Sequence, residues 1–562
     1  MSVDSKYLPL ESVYRWERDR PDGVFMTQPM GGGELRTFTW KETLDQARRM
    51  AAYLVAQGFE PGSSIGILSK NCAWFILSDL AIWMAGHRSV ALYPTIDAKA
   101  ASYVLTHSEV KLLFVGKLDI WEELAAGVPE DLPCVSYPLS PPGDFPTWDD
   151  IVADTKPVEG SPTRSPEETS LLIYTSGSTG VPKGAEITFG NMGVAMRGVG
   201  DYFQLGPVDR ALSYLPLAHA YERGALEANA LYHGFQVFFA ESLETFLQDL
   251  QRARPTLFFS VPRLYLKFQL GVFSKVPEKK LKRLLKIPIL RGIVRRKILR
   301  GLGLGDARYA ISGSAPIPAS LIQWYRDLGL ELLEAYGMTE NFCVSHISFP
   351  GRARVGYVGN TWPGVECRLS EEGEVLVRTD ANMKGYFKQP ELTAEMFTED
   401  GFLRTGDLGE LDDQDRLRIT GRIKELFKTS KGKYIAPVPV ENLLNASPLI
   451  EQSCVSGRGH PQPYALVLLD EELHKRLGSD AASVERLTRE LGTLRDQVNR
   501  ELATYEQLQL LVVVKDRWLI ENGFLTPTMK IKRSVLEETY EPFVQGWYDS
   551  GDRVIWQERP GA

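Results

Sequence analysis

Tyr174-Thr175-Ser176-Gly177-Ser178-Thr179-Gly180-Val181-Pro182-Lys183-Gly184 follows directly on the apolar run Leu171-Leu172-Ile173, so it reads as the loop leaving a buried strand. Four Ser/Thr hydroxyls, three glycines and one lysine fall within these residues. Glycine lets the backbone come close to an anion, and the amides and hydroxyls between the glycines can donate to phosphate oxygens. The lysine adds a compact positive charge. Composition alone suits a Ser/Gly-rich surface turn equally well, so the rest of the chain has to decide. The stretch is not a Walker A loop, because Gly180 is followed by Val181-Pro182-Lys183-Gly184 and the spacing GxxxxGK[ST] is absent.

The same change of texture recurs along the chain. Ala211 to Leu215 runs into Pro216-Leu217-Ala218-His219, Tyr309-Ala310-Ile311 into Ser312-Gly313-Ser314-Ala315-Pro316, and Glu331-Leu332-Leu333 into Tyr336-Gly337-Met338-Thr339-Glu340. Between such strands lie helical patterns. Thr39 and Glu42 have capping-box spacing, followed by Leu44, Ala47, Ala51, Leu54 and Val55 at helical intervals. Ser64–Leu68 reads as a strand, Trp74–Ala85 as a helix and Arg88–Leu92 as a strand. This alternation predicts an α/β fold with largely parallel sheets, whose ligands sit beyond the carboxyl ends of the strands.

A chain of 562 residues exceeds what one core organises and should divide into domains. Val355 to Ile419 changes to short strands and turns, read as a small β-barrel-like subdomain. After Arg422 the chain is charged, from Lys424 to Lys433, and then mixes strands at Tyr464–Leu469 and Leu510–Val514 with a charged helix near Ser483–Leu502. The expected organisation is a large N-terminal domain of layered α/β sheets, residues 1–422, and a smaller mobile α+β lid, residues 423–562.

Several functions are disfavoured. The net charge of −8 argues against general nucleic-acid affinity. Five scattered cysteines form no CxxC pair, and seven histidines form no HExxH, so neither a disulfide framework nor a zinc site is indicated. The most apolar segment, Trp74 to Gly86, contains Asp79 and is too short to span a bilayer. No apolar signal core stands at the N-terminus, and the expectation is a cytoplasmic protein.

Further motifs lie downstream of the Gly/Ser loop: Tyr336-Gly337-Met338-Thr339-Glu340, Thr405-Gly406-Asp407, Gly421-Arg422, and Leu525-Thr526-Pro527-Thr528-Met529-Lys530-Ile531-Lys532-Arg533. Taken singly, Asp407 is a turn residue, Glu340 a helix cap, Lys530 part of a solvated basic edge and His219 a packed histidine. Together and in this order, from about Tyr14 to Arg533, they resemble the adenylate-forming superfamily of acyl-CoA synthetases, peptide-synthetase adenylation domains and luciferases. Three segments are similar to long-chain fatty acyl-CoA synthetases in particular: Leu215-Pro216-Leu217-Ala218-His219-Ala220-Tyr221-Glu222, Phe427 to Pro437, and the Thr528-Met529-Lys530 ending.

The resemblance implies activation of a fatty carboxylate with ATP and Mg²⁺, then transfer to coenzyme A. Thr175, Ser176, Gly177, Ser178, Thr179, Gly180 and Lys183 would hold the phosphates. Thr339 and Glu340 would meet the α-phosphate and, with Thr175, the metal. Tyr336, Gly337 and the Gly313-Ser314-Ala315 backbone would receive adenine, and Asp407 and Arg422 the ribose. Lys530 would be the adenylation cation, His219 a further catalytic candidate, Lys424 the hinge, and Gly432 part of a pantetheine channel after the lid rotates. Gly421 and Asn341 stand where many long-chain synthetases have Asp and Thr, which bears on substrate detail more than on reaction class. A carrier-protein thiol instead of CoA, or an aryl or medium-chain acid, are the alternative acceptor and substrates.

Lys275 to Arg300 holds eleven Lys or Arg and one acid, Glu278. Ile289, Leu290, Ile293, Val294 and Ile298 fall there at helical spacing. The segment suits a helix with a solvated basic face, peripheral contact with an anionic membrane, or a partner for the 3′-phosphate of CoA; the sequence leaves these open, as it does the oligomeric state and the preferred chain length.

Overall fold

A computed structural model describes residues 4–176, 181–470, 473, 481–520, 522–526 and 529–557. The expected strand–helix alternation builds a seven-stranded sheet. Ser64–Leu68, Arg88–Leu92, Val110–Val115, Cys134–Ser136 and Thr169–Ser176 lie parallel within it. Pro182–Thr188 and Gly385–Tyr386 extend one edge antiparallel. Every residue of Ser64–Leu68 is buried, as expected where helices cover both faces of a parallel sheet.

The helix after Thr39 spans Trp40–Ala56 and has the capping box its sequence predicts. The Glu42 N–H donates to Thr39 Oγ1 at 3.2 Å and the Thr39 N–H to Glu42 Oε2 at 2.8 Å. Leu44, Ala47, Ala51 and Leu54 are fully buried, but Val55 is 54% exposed. It lies in the last turn, one step round the helix from Leu54 and off the packed face. Helix Ala73–Met84 is buried on every side, including Asp79, whose carboxylate pairs with the equally buried Arg223.

A second sheet sets Leu257–Ser260, Tyr309–Ser312 and Leu332–Tyr336 in parallel and closes with the short antiparallel strands His346–Ile347 and Asn360–Thr361. Where a barrel-like subdomain is expected, Glu366–Leu369, Glu374–Arg378, Leu403–Leu411 and Leu417–Arg422 form a four-stranded antiparallel sheet. A bridge from Gly359 to Leu417 ties it to the preceding segment.

Beyond Arg422 the apolar side chains gather into clusters of their own, from Phe427 to Val554. They surround a sheet of Ile450–Ser456, Tyr464–Leu469, Leu511–Val513 and Val554–Trp556, flanked by helices Ala481–Glu501 and Arg533–Ser550. Among the described residues one ion-pair chain crosses from the first part to this last one. Arg263, near the start of helix Pro262–Lys275, pairs with Glu451 on strand Ile450–Ser456, and Arg517 donates to the other Glu451 oxygen at 2.6 Å. No helix among the described residues is long and apolar enough to cross a membrane.

Candidate active site

Two strands run further than their sequences suggest, and this shapes the site. Thr169–Ser176 pairs with Pro182–Thr188 through Tyr174–Gly184 and Thr175–Lys183, so Thr175 and Ser176 end a strand rather than sit in a loop. Gly177, Ser178, Thr179 and Gly180 lie outside the described residues. A β-carbon on Gly184 would stand 3.0 Å from the Tyr174 ring, so any larger residue there requires that ring to give way. Likewise Tyr336 is the last residue of Leu332–Tyr336, held by its pairing with His346.

Lys183 is linked to the Thr339-Glu340 turn through a residue the motif reading passed over. Its ammonium lies 5.6 Å from the centre of the Tyr386 ring, and the Tyr386 hydroxyl donates to Glu340 Oε1 at 2.6 Å. Tyr386 arrives because Gly385–Tyr386 pairs with Glu186 and Ala185, some two hundred residues earlier in the chain. The Met383 N–H fixes the turn further by donating to the Glu340 carbonyl at 2.7 Å. Burial, and then the Glu340 charge, hold the Tyr386 phenol well above its ordinary pKa, so it stays a donor.

The turn itself is tight. Thr339–Asn341 is one 3-10 turn, and Phe342 and Cys343 follow with φ of 47° and 63°, a conformation that costs non-glycine residues energy. Gly337 permits it: a β-carbon there would lie 2.6 Å from the Cys343 backbone. Burial pushes the Cys343 thiol up to about 12, which keeps it protonated and unsuited to nucleophilic work.

Asp407 and Arg422 are register partners on adjacent strands. Arg422 Nε donates to Asp407 Oδ1 at 2.7 Å, and the Tyr336 hydroxyl donates to Oδ2 at 2.7 Å. Each carboxylate oxygen keeps a second lone pair for a ligand hydroxyl. Burial works against the Arg422 charge, but the Asp407 carboxylate outweighs it and leaves the guanidinium pKa raised. Gly313 follows strand Tyr309–Ser312 and packs against the buried Tyr221. Ser314 and Ala315 are exposed, Ser314 with φ of 67°.

His219 sits where strand Arg210–Ser213 ends, in a segment pinned by two polar residues absent from the list of candidates. Asn71 accepts from the Leu217 N–H at 3.0 Å and donates to the Leu215 carbonyl at 2.6 Å. Buried Glu222 accepts from Ser213 Oγ at 2.8 Å and the Tyr214 N–H at 3.2 Å. Burial raises the Glu222 carboxyl to about 8 against these bonds. The next turn, Glu222–Ala228, is a π-helix, a form common at functional sites, and Arg223 within it is shared between Asp79 and Glu227. Burial, and then the Lys530 charge, lower the His219 pKa to about 3. The imidazole is therefore neutral. Its Nδ1 accepts from the Tyr221 N–H at 3.1 Å, which leaves the proton on Nε2 as a donor.

Lys530 reaches this cluster from the C-terminal part. Leu525 bridges Ile531, the Thr526 N–H donates to the Lys530 carbonyl at 2.8 Å, and Met529 turns with φ of 61°; Pro527 and Thr528 lie outside the described residues. The residue is exposed. Desolvation, and then Arg422, lower its pKa, while Asp407, Cys343 and Glu340 pull it up. Lys530, His219, Glu340, Asp407 and Arg422 thus share one electrostatic neighbourhood. Gly432 does not join it. Its loop, between Phe427–Lys428 and Tyr434–Ile435, is tied to the C-terminal part by the Ser430 N–H to the His460 carbonyl. Lys424 is exposed in the 3-10 turn Ile423–Glu425, directly after Arg422.

No group of three or more His, Cys, Asp or Glu among the described residues could hold a metal by itself. A divalent ion would fit a single carboxylate, Glu340, with its other ligands from water and phosphate, the usual habit of Mg²⁺.

Comparison with known proteins matches two families. Residues 13–387 fit the AMP-binding enzyme family, and residues 425–552 fit the AMP-binding enzyme C-terminal domain. Among curated relatives, the long-chain-fatty-acid–CoA ligase FadD15 of Mycobacterium bovis is 31% identical, covering 96% of each chain. Long-chain-fatty-acid–CoA ligase 5 of Rattus norvegicus is 30% identical over 91% of this chain and 84% of its own. Among solved structures, the adenylation domain of a carboxylate reductase from Mycobacterium chelonae superposes with a TM-score of 0.80 at 23% identity, covering 96% of this chain and 91% of that one.

Proposed function

The chain belongs to the AMP-binding enzyme family, and from that premise we propose that it activates a long-chain fatty acid with ATP and passes the acyl group to coenzyme A. What supports this reading is that Arg422, Asp407 and Glu340 act electrostatically on Lys530, from the far end of the chain, while Asp407 is paired with Arg422 and Glu340 with Tyr386. One cation then faces a ribose acceptor and a phosphate-side carboxylate at once.

In the first half-reaction a fatty carboxylate oxygen attacks the α-phosphorus of ATP, the bond to the bridging oxygen breaks, and pyrophosphate leaves. Lys530 and the Nε2–H of His219 would donate to the oxygens on which charge shifts, and in a desolvated site such donors act strongly. Lys183 and Thr175 would tend the departing phosphates, and Asp407 with Arg422 would fix the ribose. Tyr336, beside them, would stack on adenine, and Gly313 to Ala315 would admit the base closely. Mg²⁺, held by Glu340 with Thr175 nearby, would neutralise phosphate charge. In the second half-reaction the CoA thiolate attacks the acyl carbonyl and AMP leaves. The thiol belongs to the substrate, so none of the five cysteines is required.

The domain boundary near Arg422 and the hinge at Lys424 belong to the same proposal. After adenylation the lid turns, Lys530 withdraws and the Gly432 loop enters, so one site serves two steps. Pyrophosphate release over a panel of short to very long acids, followed by product analysis with CoA and then with a holo-carrier protein, tests the reading. Acyl-CoA formation with long acids is expected. Pyrophosphate release with thioester only on the carrier protein would overturn CoA as acceptor, and no release with any acid would overturn the activity.

A further inference from the structure

The segment 275–300 divides its apolar residues in a way its periodicity does not reveal. Two helices, Glu278–Lys286 and Pro288–Gly301, form a hairpin. Leu281 is buried, and Leu285, Val294, Ile298 and Leu299 pack against the core cluster around Phe258, Tyr265 and Trp324. Ile289, Leu290 and Ile293, expected on the same face as Val294 and Ile298, instead point away. At the tip Ile287 is 46% exposed, Ile289 82%, Leu290 36% and Ile293 61%. Four large aliphatic side chains within seven residues thus stand in solvent, although the hairpin has a core to pack on.

Around this tip lie cations. Lys279, Lys280, Lys282, Arg283, Lys286, Arg291, Arg296 and Lys297 are all exposed. Among the described residues a single carboxylate is paired within the segment, Glu278 with Lys282 at 2.6 Å. Eleven Lys or Arg against one acid, on a chain whose net charge is −8, is a strong local reversal. An apolar tip ringed by cations fits an interface that is oily inside and anionic at its rim. A second copy of this patch would set like charges against each other.

We propose that this hairpin docks on an anionic lipid bilayer, with Ile287, Ile289, Leu290 and Ile293 entering the headgroup region and the flanking Lys and Arg resting on lipid phosphates. Two weak signals, apolar insertion and a polybasic ring, together make a stable peripheral attachment. The hairpin is also connected to the site. Helix Pro262–Lys275, about 21 Å long by its 14 residues, leads into it from Ser260, whose carbonyl accepts from the Gly313 N–H at 3.2 Å.

The test is co-sedimentation of the full chain with vesicles of phosphatidylcholine alone or mixed with phosphatidylglycerol, at low and high salt. Binding should need the anionic lipid and fall with salt. The double variant I289D/I293D should lose about tenfold or more of it, and Lys279→Gln with Lys282→Gln should lose about fivefold per cation. These residues are exposed and outside the catalytic cluster, so ATP–pyrophosphate exchange without vesicles should be unchanged, which separates this proposal from the acyl-CoA reading. A fluorophore on an Ile289→Cys variant should shift to the blue on adding vesicles. Equal binding to both lipid mixtures, or full binding by I289D/I293D, would overturn the proposal. So would wild-type protein that ignores vesicles but loses a dimer, or an acidic protein partner, in that variant.

Discussion

Among the described residues the Arg263–Glu451–Arg517 chain is an ion-pair contact between the two parts of the molecule, and removing Arg263 measures what it contributes to the proposed orientation that brings Lys530 to the site. Arg263 is 47% exposed and Glu451 14% exposed at the side chain, so the pair stands in high dielectric at one end. Such pairs contribute about 0.2–1 kcal/mol, or about 1.4- to fivefold in an equilibrium. Arg517 remains on Glu451 in Arg263→Ala, so no carboxylate is left buried and unpaired, and the larger penalty for that does not apply. The pair can bias the lid only as far as it exists in one orientation and not the other. Adenylation should therefore fall by at most about fivefold, while thioester formation from supplied acyl-adenylate should hold steady or rise by up to the same factor. The assay is single-turnover pyrophosphate release without CoA, set beside acyl-CoA formation from the adenylate. Raising ionic strength toward 1 M should erase the difference from wild type, because screening acts on the exposed arginine. Equal loss in both half-reactions would refute the reasoning, since general destabilisation has no preference between them.

Three further predictions concern the cluster and the turn beside it. Lys530→Ala should slow adenylation by about 10²–10³-fold, the usual effect of losing one transition-state donor, and should spare thioester formation far more. Because desolvation and Arg422 lower the Lys530 pKa, its charge is present at low pH and lost as pH rises, earlier than for an ordinary lysine. The rate constant for adenylation at limiting substrate should decline on the alkaline side, and Lys530→Arg, always charged, should be slow but lack that limb. Gly337→Ala forces a β-carbon to 2.6 Å from the Cys343 backbone and should cost about 1–3 kcal/mol of stability. A urea midpoint equal to wild type would show that the turn has room it is not credited with.

Local patterns in the sequence carried much of this. The capping box at Thr39, the strand at Ser64–Leu68 and the helix near Ser483 are set by neighbours a few residues away, and they stand close to where spacing puts them. Tyr386 and Asn71 are not legible as site-shaping residues, because their partners Glu340 and Leu217 lie far off in the chain, while Glu222 is near Ser213 in sequence but meets it only through the turn that follows the strand. Arg223 in the π-turn Glu222–Ala228 likewise finds buried Asp79 on another helix far off in the chain. Thr175 and Tyr336 were misjudged as loop residues because polar side chains ended the apolar run, whereas cross-strand pairing carries the strand past them. The hairpin at 275–300 shows the converse. Its periodicity was plain, but which half of the apolar stripe finds a core depends on where Phe258 and Trp324 lie.

The charges of the site are unevenly satisfied, and that unevenness bears on how a lid can leave. Asp407 has Arg422 and Tyr336, Glu340 has Tyr386, and His219 is neutral and accepts from the Tyr221 N–H. The ammonium of Lys530 has no hydrogen-bond partner among the described residues, and its lowered pKa registers the cost of holding charge there. An anion arriving between Lys530 and Arg422 relieves that cost, so substrate carboxylate and triphosphate stabilise the orientation in which they react. Once pyrophosphate departs, most of that negative charge is gone, while Arg422 still repels Lys530. Asp407 and Glu340 still favour the Lys530 charge, and the partly exposed Arg263–Glu451 contact adds about 1 kcal/mol at most. On the proposed two-orientation reading, loss of that charge weakens the hold on Lys530, so the chemistry itself would favour the release of the lid. On this reasoning pyrophosphate added to the enzyme–adenylate complex should slow transfer to CoA beyond its effect on the reverse reaction, and an Arg422→Lys variant, which keeps the repelling charge, should preserve that inhibition where Arg422→Gln weakens it.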